Sequence, residues 1–371
     1  MSSKAILNLT PLNLIANQEI LPSNIIFGCT MLNETWGNLS KKIRDEAVHS
    51  ALSNGIYEFD TAPLYGNSED NLGEAIYNSK LGYKAIFITK CGKVIRNISR
   101  MNDIALVPPT PFKPFSIPND QRVLVPNYHF NGAELSHKES IERMSIVQNK
   151  PISIHTLRMH DPDSVENGIE NAIKNNDGLI DGMVHLRKIG KIKCVSIGMN
   201  ANVDHTIITK NSGGLTTTKW TPDVIINILK SKPIGTFDNI LLAYSFNLFR
   251  QDGYEVMQEC HRRGISVHVA GVWSGLYHIN AGSGRQNVKW KEAQKKMNKW
   301  RELAQKYGKT VESVAIGFAF APSIVSKVVL GMKSKDEVEQ NLKAASDSKT
   351  IPMELWKEAK DLGLYDKNIQ F

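Results

Sequence analysis

Residues 55–90, GIYEFDTAPLYGNSEDNLGEAIYNSKLGYKAIFITK, contain two short apolar runs with one amphipathic segment between them. The runs at 56–59 and 85–89 predict buried β-strands, and the segment at 68–79 predicts a helix. Two parallel strands need a crossover connection of about a dozen residues or more, which is usually a helix. Strands joined through a helix are therefore expected to lie parallel in one sheet. This stretch therefore predicts an α/β fold.

The same alternation of strands and helices continues along most of the chain. Eight apolar runs predict strands, at residues 25–29, 56–59, 85–89, 152–158, 193–197, 239–243, 265–269 and 325–330. Eight helix-like segments alternate with them, at residues 41–53, 68–79, 138–148, 178–189, 224–230, 253–263, 311–321 and 335–345. Eight such units close into a (β/α)8 TIM barrel more readily than into an open sheet. We therefore predict a single barrel domain over residues 1–371, with its core at about 25–346.

Three long segments exceed what a barrel needs. A typical barrel takes about 250 residues, whereas this chain has 371. The surplus lies at residues 92–136, 201–221 and 276–308, each of which follows a predicted strand and so belongs to the mouth where barrel enzymes keep their active sites. Residues 92–136 are rich in proline, and we predict a substrate lid there because structureless loops of that length are usually functional or disordered.

The composition is that of an ordinary globular protein, with 41% apolar and 22% charged residues. The net charge of +8 fits an anionic partner or a solvated basic surface, and we favour a solvated helix face for the lysine-rich stretch 289–301. The four cysteines form no CxxC pair and the histidines show no metal-ligand spacing, so we expect no disulfide and no metal. With no signal peptide and no run of 18 apolar residues, we expect a cytoplasmic protein without membrane or nucleic-acid partners.

Four polar residues lie at the ends of three neighbouring predicted strands. Asp60 and Tyr65 follow the second strand, Lys90 follows the third, and His160 follows the fourth. Because strand ends form a ring at the mouth of a barrel, we expect these side chains to meet. The residue types suit acid–base chemistry: a cation lowers the pKa of a nearby Tyr hydroxyl, a carboxylate keeps a lysine charged, and a histidine can position a substrate oxygen. Taken singly, each residue also has a structural explanation in capping or packing.

At these residues the sequence resembles the aldo-keto reductase family, and the resemblance extends over about residues 25–341. GIYEFDTAPLYGNSEDNLGEAI resembles the first signature of the family, ITKCGK its lysine segment, and RMHDPD its strand-4 histidine. DGMVHLRKIGKIKCVSIGMN resembles the signature that ends in a cofactor-contacting Asn. The resemblance implies that the catalytic tetrad is Asp60, Tyr65, Lys90 and His160, with Tyr65 transferring the proton.

The resemblance also implies a nicotinamide dinucleotide at the barrel mouth. Asn200 would hold the carboxamide, and WSGLY would wrap the pyrophosphate through Ser274, Gly275 and Leu276. The residues implied to bind the adenosine follow the last strand: Gly331, Met332, Lys333, Ser334, Gln340 and Asn341. Glu337 falls where many NADP-dependent members place an Arg, and its carboxylate would repel a 2′-phosphate, so we expect NAD in preference to NADP.

Several positions depart from the usual pattern of the family. Met199 stands where a Ser usually accompanies the Asn, and Ala243 stands where many members place a Gln against the same amide. His155 replaces the Asp that usually lies five residues before the tetrad His. The aromatic residue that would stack on the nicotinamide is missing at residues 269–270, where Trp273 is a candidate substitute. These departures concern the nicotinamide contacts more than the tetrad.

The HDPD sequence after strand 4 and the glycine in KCGK resemble one branch of the family. That branch contains D-threo-aldose, L-fucose, L-galactose and D-arabinose 1-dehydrogenases, together with pyridoxal dehydrogenases. The resemblance implies oxidation of the C1 hydroxyl of an aldose to a lactone. The alternatives are reduction of an aldehyde, including pyridoxal-like substrates, by the same residues, and a non-catalytic, cofactor-binding regulatory subunit. We expect a small sugar or aldehyde as the substrate, and a monomer or homodimer.

Overall fold

Eight parallel strands close into a barrel in the computed structural model, which describes residues 18–33, 39–97, 122–145, 152–200, 210–211, 214–215, 222–274, 276 and 288–369. The described strands are β1 (Ile25–Gly28), β2 (Glu58–Asp60), β3 (Ile86–Cys91), β4 (Lys93–Asn97), β5 (Arg122–Pro126), β6 (Ile154–His160), β7 (Cys194–Asn200), β8 (Lys210–Asn211), β9 (Gly214–Leu215), β10 (Asn239–Ala243), β11 (Ser266–Ala270) and β12 (Val325–Gly331). Around the barrel their order is β1-β12-β11-β10-β7-β6-β3-β2, and β2 pairs again with β1. The predicted (β/α)8 barrel and all eight of its predicted strands are confirmed.

Three strands continue at least two residues further toward the barrel mouth than the apolar pattern predicted; one of them is β3, which ends at Cys91 and not at residue 89. β6 ends at His160 and β7 ends at Asn200, whereas the predicted strands end at residues 158 and 197. Polar side chains end the apolar run, but the parallel ladder continues, with His160 beside Gly198 and Asn200 beside Ala243. His160 and Asn200 therefore belong to rigid strands and not to the loops that follow them.

The helices described are α1 (Lys41–Ser53), α2 (Ser68–Asn78), α3 (Phe130–Met144), α4 (Gly168–Ile173), α5 (Leu179–Lys188), α6 (Pro222–Lys230), α7 (Tyr254–Arg263), α8 (Val288–Lys306), α9 (Val311–Phe320), α10 (Lys335–Ser348) and α11 (Met353–Asp361). The prediction of a helix at 138–148 was wrong about its start, because α3 begins at Phe130. Gly132 made that first turn resemble a loop, yet the helix needs it: a Cβ there would lie 2.2 Å from the Asn127 carbonyl oxygen. No helix in the described ranges is long and apolar enough to cross a membrane.

The prediction of one continuous loop at 92–136 was also wrong. The segment begins with an antiparallel hairpin in which β4 pairs with β5, and it ends in the first half of α3. Such a hairpin is hard to predict because a long stretch separates its two strands. Residues 98–121, with most of the prolines and the predicted lid, lie outside the described residues.

The other two surplus segments are described only in part. Within 201–221 the structure describes the short strands β8 and β9. Within 276–308 it describes the long helix α8, which contains the lysine-rich stretch. Met297 and Trp300 of this helix are buried while Lys295 and Lys299 are exposed, which confirms the predicted solvated helix face for these residues.

Side chains inside the barrel divide into an apolar group and a polar group. The apolar group forms a small cluster separate from the main core: Ile26, Ile88, Leu241 and Val329. The polar group comes from β6, β7, β10 and β11, which are adjacent in the barrel, and all its members are buried: Arg158, Ser196, Asn239 and His268. Arg158 lies two residues before His160, on the same face of β6, and so below the barrel mouth.

Candidate active site

A buried ion pair joins the ends of the second and third barrel strands. Asp60 is the last residue of β2, and Lys90 lies near the end of β3. The Lys90 ammonium donates to Asp60 Oδ1 and, at 2.8 Å, to the Thr61 carbonyl oxygen. Asp60 is 3% exposed and Lys90 is 1% exposed, so water does not compete for either charge. The structure thus brings together the two residues whose strands the topology makes neighbours.

Tyr65 lies over this pair. It ends the short 3₁₀ turn Pro63–Tyr65, which begins three residues after the end of β2, and its backbone N–H donates to the Ala62 carbonyl at 3.0 Å. The Lys90 ammonium is 4.6 Å from the centroid of the Tyr65 ring. The His160 ring stands edge-on to the Tyr65 ring, with centroids 5.8 Å apart and an interplanar angle of 87°. All four side chains singled out from the sequence therefore meet at the barrel mouth.

Two side chains, one from β4 and one just after β5, hold the backbone of His160. Lys93 Nζ donates to the His160 carbonyl at 3.1 Å, and the Tyr128 hydroxyl donates to the same carbonyl. Gly92 makes this approach possible, because it has φ +100° and a Cβ there would lie 2.4 Å from the Tyr128 ring. The next residue, Asp161, has φ +40° and places its carboxylate 3.5 Å from His160 Nε2. The inserted hairpin therefore fixes the histidine that the site presents.

Burial dominates the protonation of His160 and Tyr65. Burial and the nearby Lys93 and Lys90 cations lower the pKa of His160 well below its usual range, so the imidazole is neutral at pH 7. Burial raises the pKa of Tyr65 above its usual value, although Lys90 acts in the opposite direction. The sequence predicted the direction of the lysine effect, but burial and Asp60 outweigh it. The resting phenol therefore carries its proton at neutral pH.

Lys90 keeps its charge in spite of its burial. Burial alone would favour the neutral amine, but the attraction of Asp60 and Tyr65 outweighs this and raises the pKa of Lys90. The adjacent Cys91 behaves differently: burial raises the pKa of its thiol, and its sulfur contacts the Arg158 carbonyl oxygen at 3.5 Å. Cys91 is a packed, unreactive residue at the rim of the barrel.

Two residues of the site were not predicted from the sequence. Arg158 lies on β6, and its side chain is fully buried against the Asp60 carboxylate. Tyr244 follows β10 with a backbone φ of +58°, which is rare for an aromatic residue. Its ring occupies the space that a Cβ on Gly271 would fill, and it remains 45% exposed. Burial, Tyr65 and Asp161 raise the pKa of its hydroxyl. A charged residue within an apolar run was the available signal for Arg158, and no local pattern indicated Tyr244.

The residues expected to bind the nicotinamide and pyrophosphate are only partly described. Asn200 ends β7 at the barrel mouth, and Met199 beside it is buried in the main core. The Ser274 and Leu276 backbone N–H groups donate to the carbonyl oxygens of Gly271 and Trp273, both at 3.0 Å. Gly275 lies outside the described residues. These two turns follow β11 at the mouth, as the sequence predicted.

The segment from β12 into α10 offers space and one unsatisfied donor. Gly331 ends β12, and a Cβ there would meet no atom within 4 Å. Ser334 caps α10, since its Oγ accepts from the Glu337 N–H at 3.2 Å. The buried Nδ2 of Asn341 has no hydrogen-bond partner among the described residues. The open space at Gly331 and the unpaired Asn341 amide leave room and a hydrogen-bond donor for a ligand at this end of the barrel.

Three other residues of this segment are placed differently. Both carboxylate oxygens of Glu337 face Lys333: one accepts from its backbone N–H at 2.9 Å, and the other lies 3.5 Å from its ammonium. Met332 is fully buried, so only its backbone can reach a nucleotide. Gln340 is exposed on the outer surface of α10.

Comparison with known proteins gives one consistent result. A model of the Aldo/keto reductase family matches residues 24–361. Pyridoxal 4-dehydrogenase of Microbacterium luteolum is 24% identical over 355 residues, which cover 91% of this chain and 93% of that protein. L-galactose dehydrogenase of Arabidopsis thaliana is 21% identical over 350 residues, which cover 92% of this chain and 90% of that protein.

Solved structures share the fold. A glycerol dehydrogenase from Gluconobacter oxydans superimposes with a TM-score of 0.63 at 17% identity, covering 98% of this chain and 100% of that one. The holo form of an aldo-keto reductase from Bacillus halodurans gives a TM-score of 0.60 at 18% identity, covering 91% of each chain. At these identities the likeness concerns the barrel alone.

Proposed function

This chain belongs to the aldo/keto reductase family, and from that premise we propose that it oxidises the C1 hydroxyl of an aldose to a lactone with a nicotinamide cofactor. Members of the family are oxidoreductases that use nicotinamide cofactors. The observation that carries the proposal is the meeting of Tyr65 with Lys90 and His160 above a buried Lys90–Asp60 pair. The names of the two sequence relatives, both dehydrogenases, support oxidation as the working direction.

Tyr65 exchanges the proton with the reacting oxygen. In oxidation its phenolate accepts the proton of the substrate hydroxyl, and the Lys90 ammonium stabilises that phenolate. Asp60 keeps the ammonium charged and holds it against the ring. His160, neutral and edge-on to Tyr65, donates a hydrogen bond to the same substrate oxygen and so orients it.

A bound nicotinamide supplies the hydride acceptor, and the protein supplies orientation and electrostatics. The residues that we propose to hold the dinucleotide are Asn200, Ser274, Gly275, Leu276, Gly331, Met332, Lys333, Ser334, Glu337, Gln340 and Asn341. The unpaired amide of Asn341 supports this assignment. We propose NAD over NADP because Glu337 already neutralises Lys333, the cation closest to it, and would repel a 2′-phosphate.

One observation favours a second function, the reduction of an aldehyde. A tyrosine is a phenol at neutral pH, and burial raises the pKa of Tyr65 further, so its proton is available for donation. Proton donation to a carbonyl oxygen is the step that reduction requires. The same four residues would then work in reverse on an aldehyde, including a pyridoxal-like one. The oxidative rate, by contrast, should rise with pH.

The experiment that tests the function is a substrate panel with both nucleotides. L-fucose, L-galactose, D-arabinose and pyridoxal are each mixed with the protein and NAD or NADP to follow oxidation, or with NADH or NADPH to follow reduction, and nicotinamide absorbance is recorded. Turnover of an aldose, with the lactone identified as product, would support the main proposal. Turnover only in the reductive direction, with aldehydes, would favour the second function. Tight nucleotide binding without turnover in either direction would contradict both and indicate a regulatory subunit.

A further inference from the structure

Arg158 makes an unusual set of contacts below the active site. It lies on β6 two residues before His160, on the same face of the strand, and its side chain is 0% exposed. Its guanidinium has four partners from four other strands: Asp60 Oδ2 at 2.8 Å, Ser196 Oγ at 2.6 Å, Asn239 Oδ1 at 2.7 Å and His268 Nδ1 at 2.9 Å. Because guanidinium nitrogens only donate, His268 Nδ1 accepts and this histidine is neutral.

Asp60 therefore lies between two cations. Lys90 donates a hydrogen bond to Oδ1 and Arg158 donates one to Oδ2, and the two bonds fix the plane of the carboxylate. The three groups together carry a net charge of +1 in a part of the barrel that water does not reach. A buried ion pair is often no more stabilising than apolar residues of the same volume. Apolar residues fill another part of the barrel interior: Ile26, Ile88, Leu241 and Val329. Packing alone therefore does not require an arginine inside the barrel.

This inference rests on the proposed function. We propose that Arg158 is a positioning residue of the reaction: it fixes the Asp60 carboxylate and offsets part of its charge, so that Asp60 opposes less of the effect of the Lys90 ammonium on Tyr65. Asp60 pairs with Lys90, and without a second cation it would cancel most of the lysine field at the phenol. With Arg158 on the other oxygen, Asp60 is shared between two cations and cancels less of the lysine field at Tyr65.

The charged and titratable groups around Tyr65 set the sign of the effect. Lys90 lowers the pKa of Tyr65, whereas Asp60 and Asp161 raise it, and His160 and Tyr244 are neutral at pH 7. Arg158 faces Asp60, Lys90 and His268, and the pKa of His268 is lowered well below its usual range by burial, Arg158 and Lys327. Removing the Arg158 charge therefore leaves Asp60 freer to raise the pKa of Tyr65.

The test is the pH dependence of kcat/KM at saturating nucleotide, in three arginine variants. The limb of the profile, which is the rise of kcat/KM with pH as Tyr65 ionises, should move upward by about one pH unit in Arg158→Gln. That shift is at the low end of the range for losing a charge near an ionisable group. Arg158→Lys restores a cation and should bring the limb back toward the wild-type position. Arg143→Gln is the matched control, because Arg143 Nε contacts the buried Glu69 at 2.6 Å outside the active site. It should lower stability without moving the limb.

A fourth variant keeps the test decisive if Arg158→Gln does not fold. Asn239→Asp is nearly isosteric and places a carboxylate on Arg158 Nη1, so it should move the limb in the same direction by a smaller amount. Titration of Tyr65 by ¹³Cζ tyrosine resonances, assigned with Tyr65→Phe, measures the same shift directly. Folded Arg158→Gln and Asn239→Asp enzymes with wild-type limbs would overturn the role of Arg158. A Tyr65→Phe enzyme with normal turnover would instead overturn the proposed function, so the two failures are distinguishable.

Discussion

Replacing Lys90 by Met removes the cation nearest to Tyr65 and leaves Asp60 with a single cationic partner. The Lys90 ammonium is 4.6 Å from the Tyr65 ring centroid. At an effective dielectric constant of about 20, a full charge at that distance stabilises the phenolate by about 3.6 kcal/mol, which corresponds to roughly 2–3 pH units. We expect Lys90→Met to raise the pKa of Tyr65 by that amount and to move the oxidative pH limb upward with it.

The stability of the same variant is a second, independent readout. Removing one partner of a buried ion pair usually costs about 3–5 kcal/mol, because the other charge is left unpaired. Here Arg158 remains 2.8 Å from Asp60 Oδ2, so we expect a smaller loss of about 1.5–3 kcal/mol, the range for one hydrogen bond to a charged group. Urea unfolding at pH 7 measures the loss of stability, and kcat/KM is followed from pH 6 to 11, where the rise of the variant should lag that of the wild type. A folded Lys90→Met enzyme whose pH profile overlays the wild type would refute the electrostatic argument.

Three further predictions concern other parts of the molecule. Glu337→Arg should shift the ratio of kcat/KM values toward NADP by about tenfold, because a repulsion becomes a charge-assisted contact; Glu339→Arg, on the exposed side of the same helix, is the control and should not. Burial and Asp161 raise the pKa of Asp163 to about 7, so the native state binds more protons than the unfolded chain between about pH 4 and pH 7, and this contribution to stability is lost as pH rises through 7. Asp163→Asn should therefore gain stability over the wild type by about 1.4 kcal/mol per pH unit between pH 5 and 7, and urea melts with parallel pH dependence would contradict this. Tyr244→Asn, which tolerates a positive φ, should raise KM for the substrate with little change in Tm, and an unchanged KM would remove the ring from the substrate site.

Much of the fold could be predicted because the local pattern and the global topology agree. Each barrel strand is a short apolar run, and parallel strands bring their ends together whatever their separation in sequence. For that reason Asp60, Lys90 and His160 could be assigned to one site from the sequence alone. The start of α3 could not, since Gly132 reads as a loop residue until the Asn127 carbonyl is seen in the place of its Cβ.

The contacts that tune the site could not be predicted because they are non-local. Arg158 is 98 residues from Asp60 and 110 residues from His268 in sequence, and only the closed barrel makes them neighbours. The same holds for protonation: the sequence indicated that a lysine would lower the pKa of Tyr65, but the amount of burial that opposes it depends on the packed structure. Residue type and spacing predict which groups meet, whereas their protonation depends on how completely water is excluded.

Tyr65 is proposed to transfer the proton, and the most direct test of this role is the turnover of Tyr65→Phe. The control is Tyr83→Phe, which also removes a phenolic hydroxyl, but from a residue that is 80% exposed. Positioned acid–base groups contribute about 10²–10⁴-fold, so kcat of Tyr65→Phe should fall by that factor while the dissociation constant of the nucleotide stays within about twofold. Tyr83→Phe should match the wild type. A Tyr65→Phe enzyme that keeps more than about half of the wild-type kcat, with hydride transfer shown to limit the rate by a substrate deuterium isotope effect, would contradict the claim.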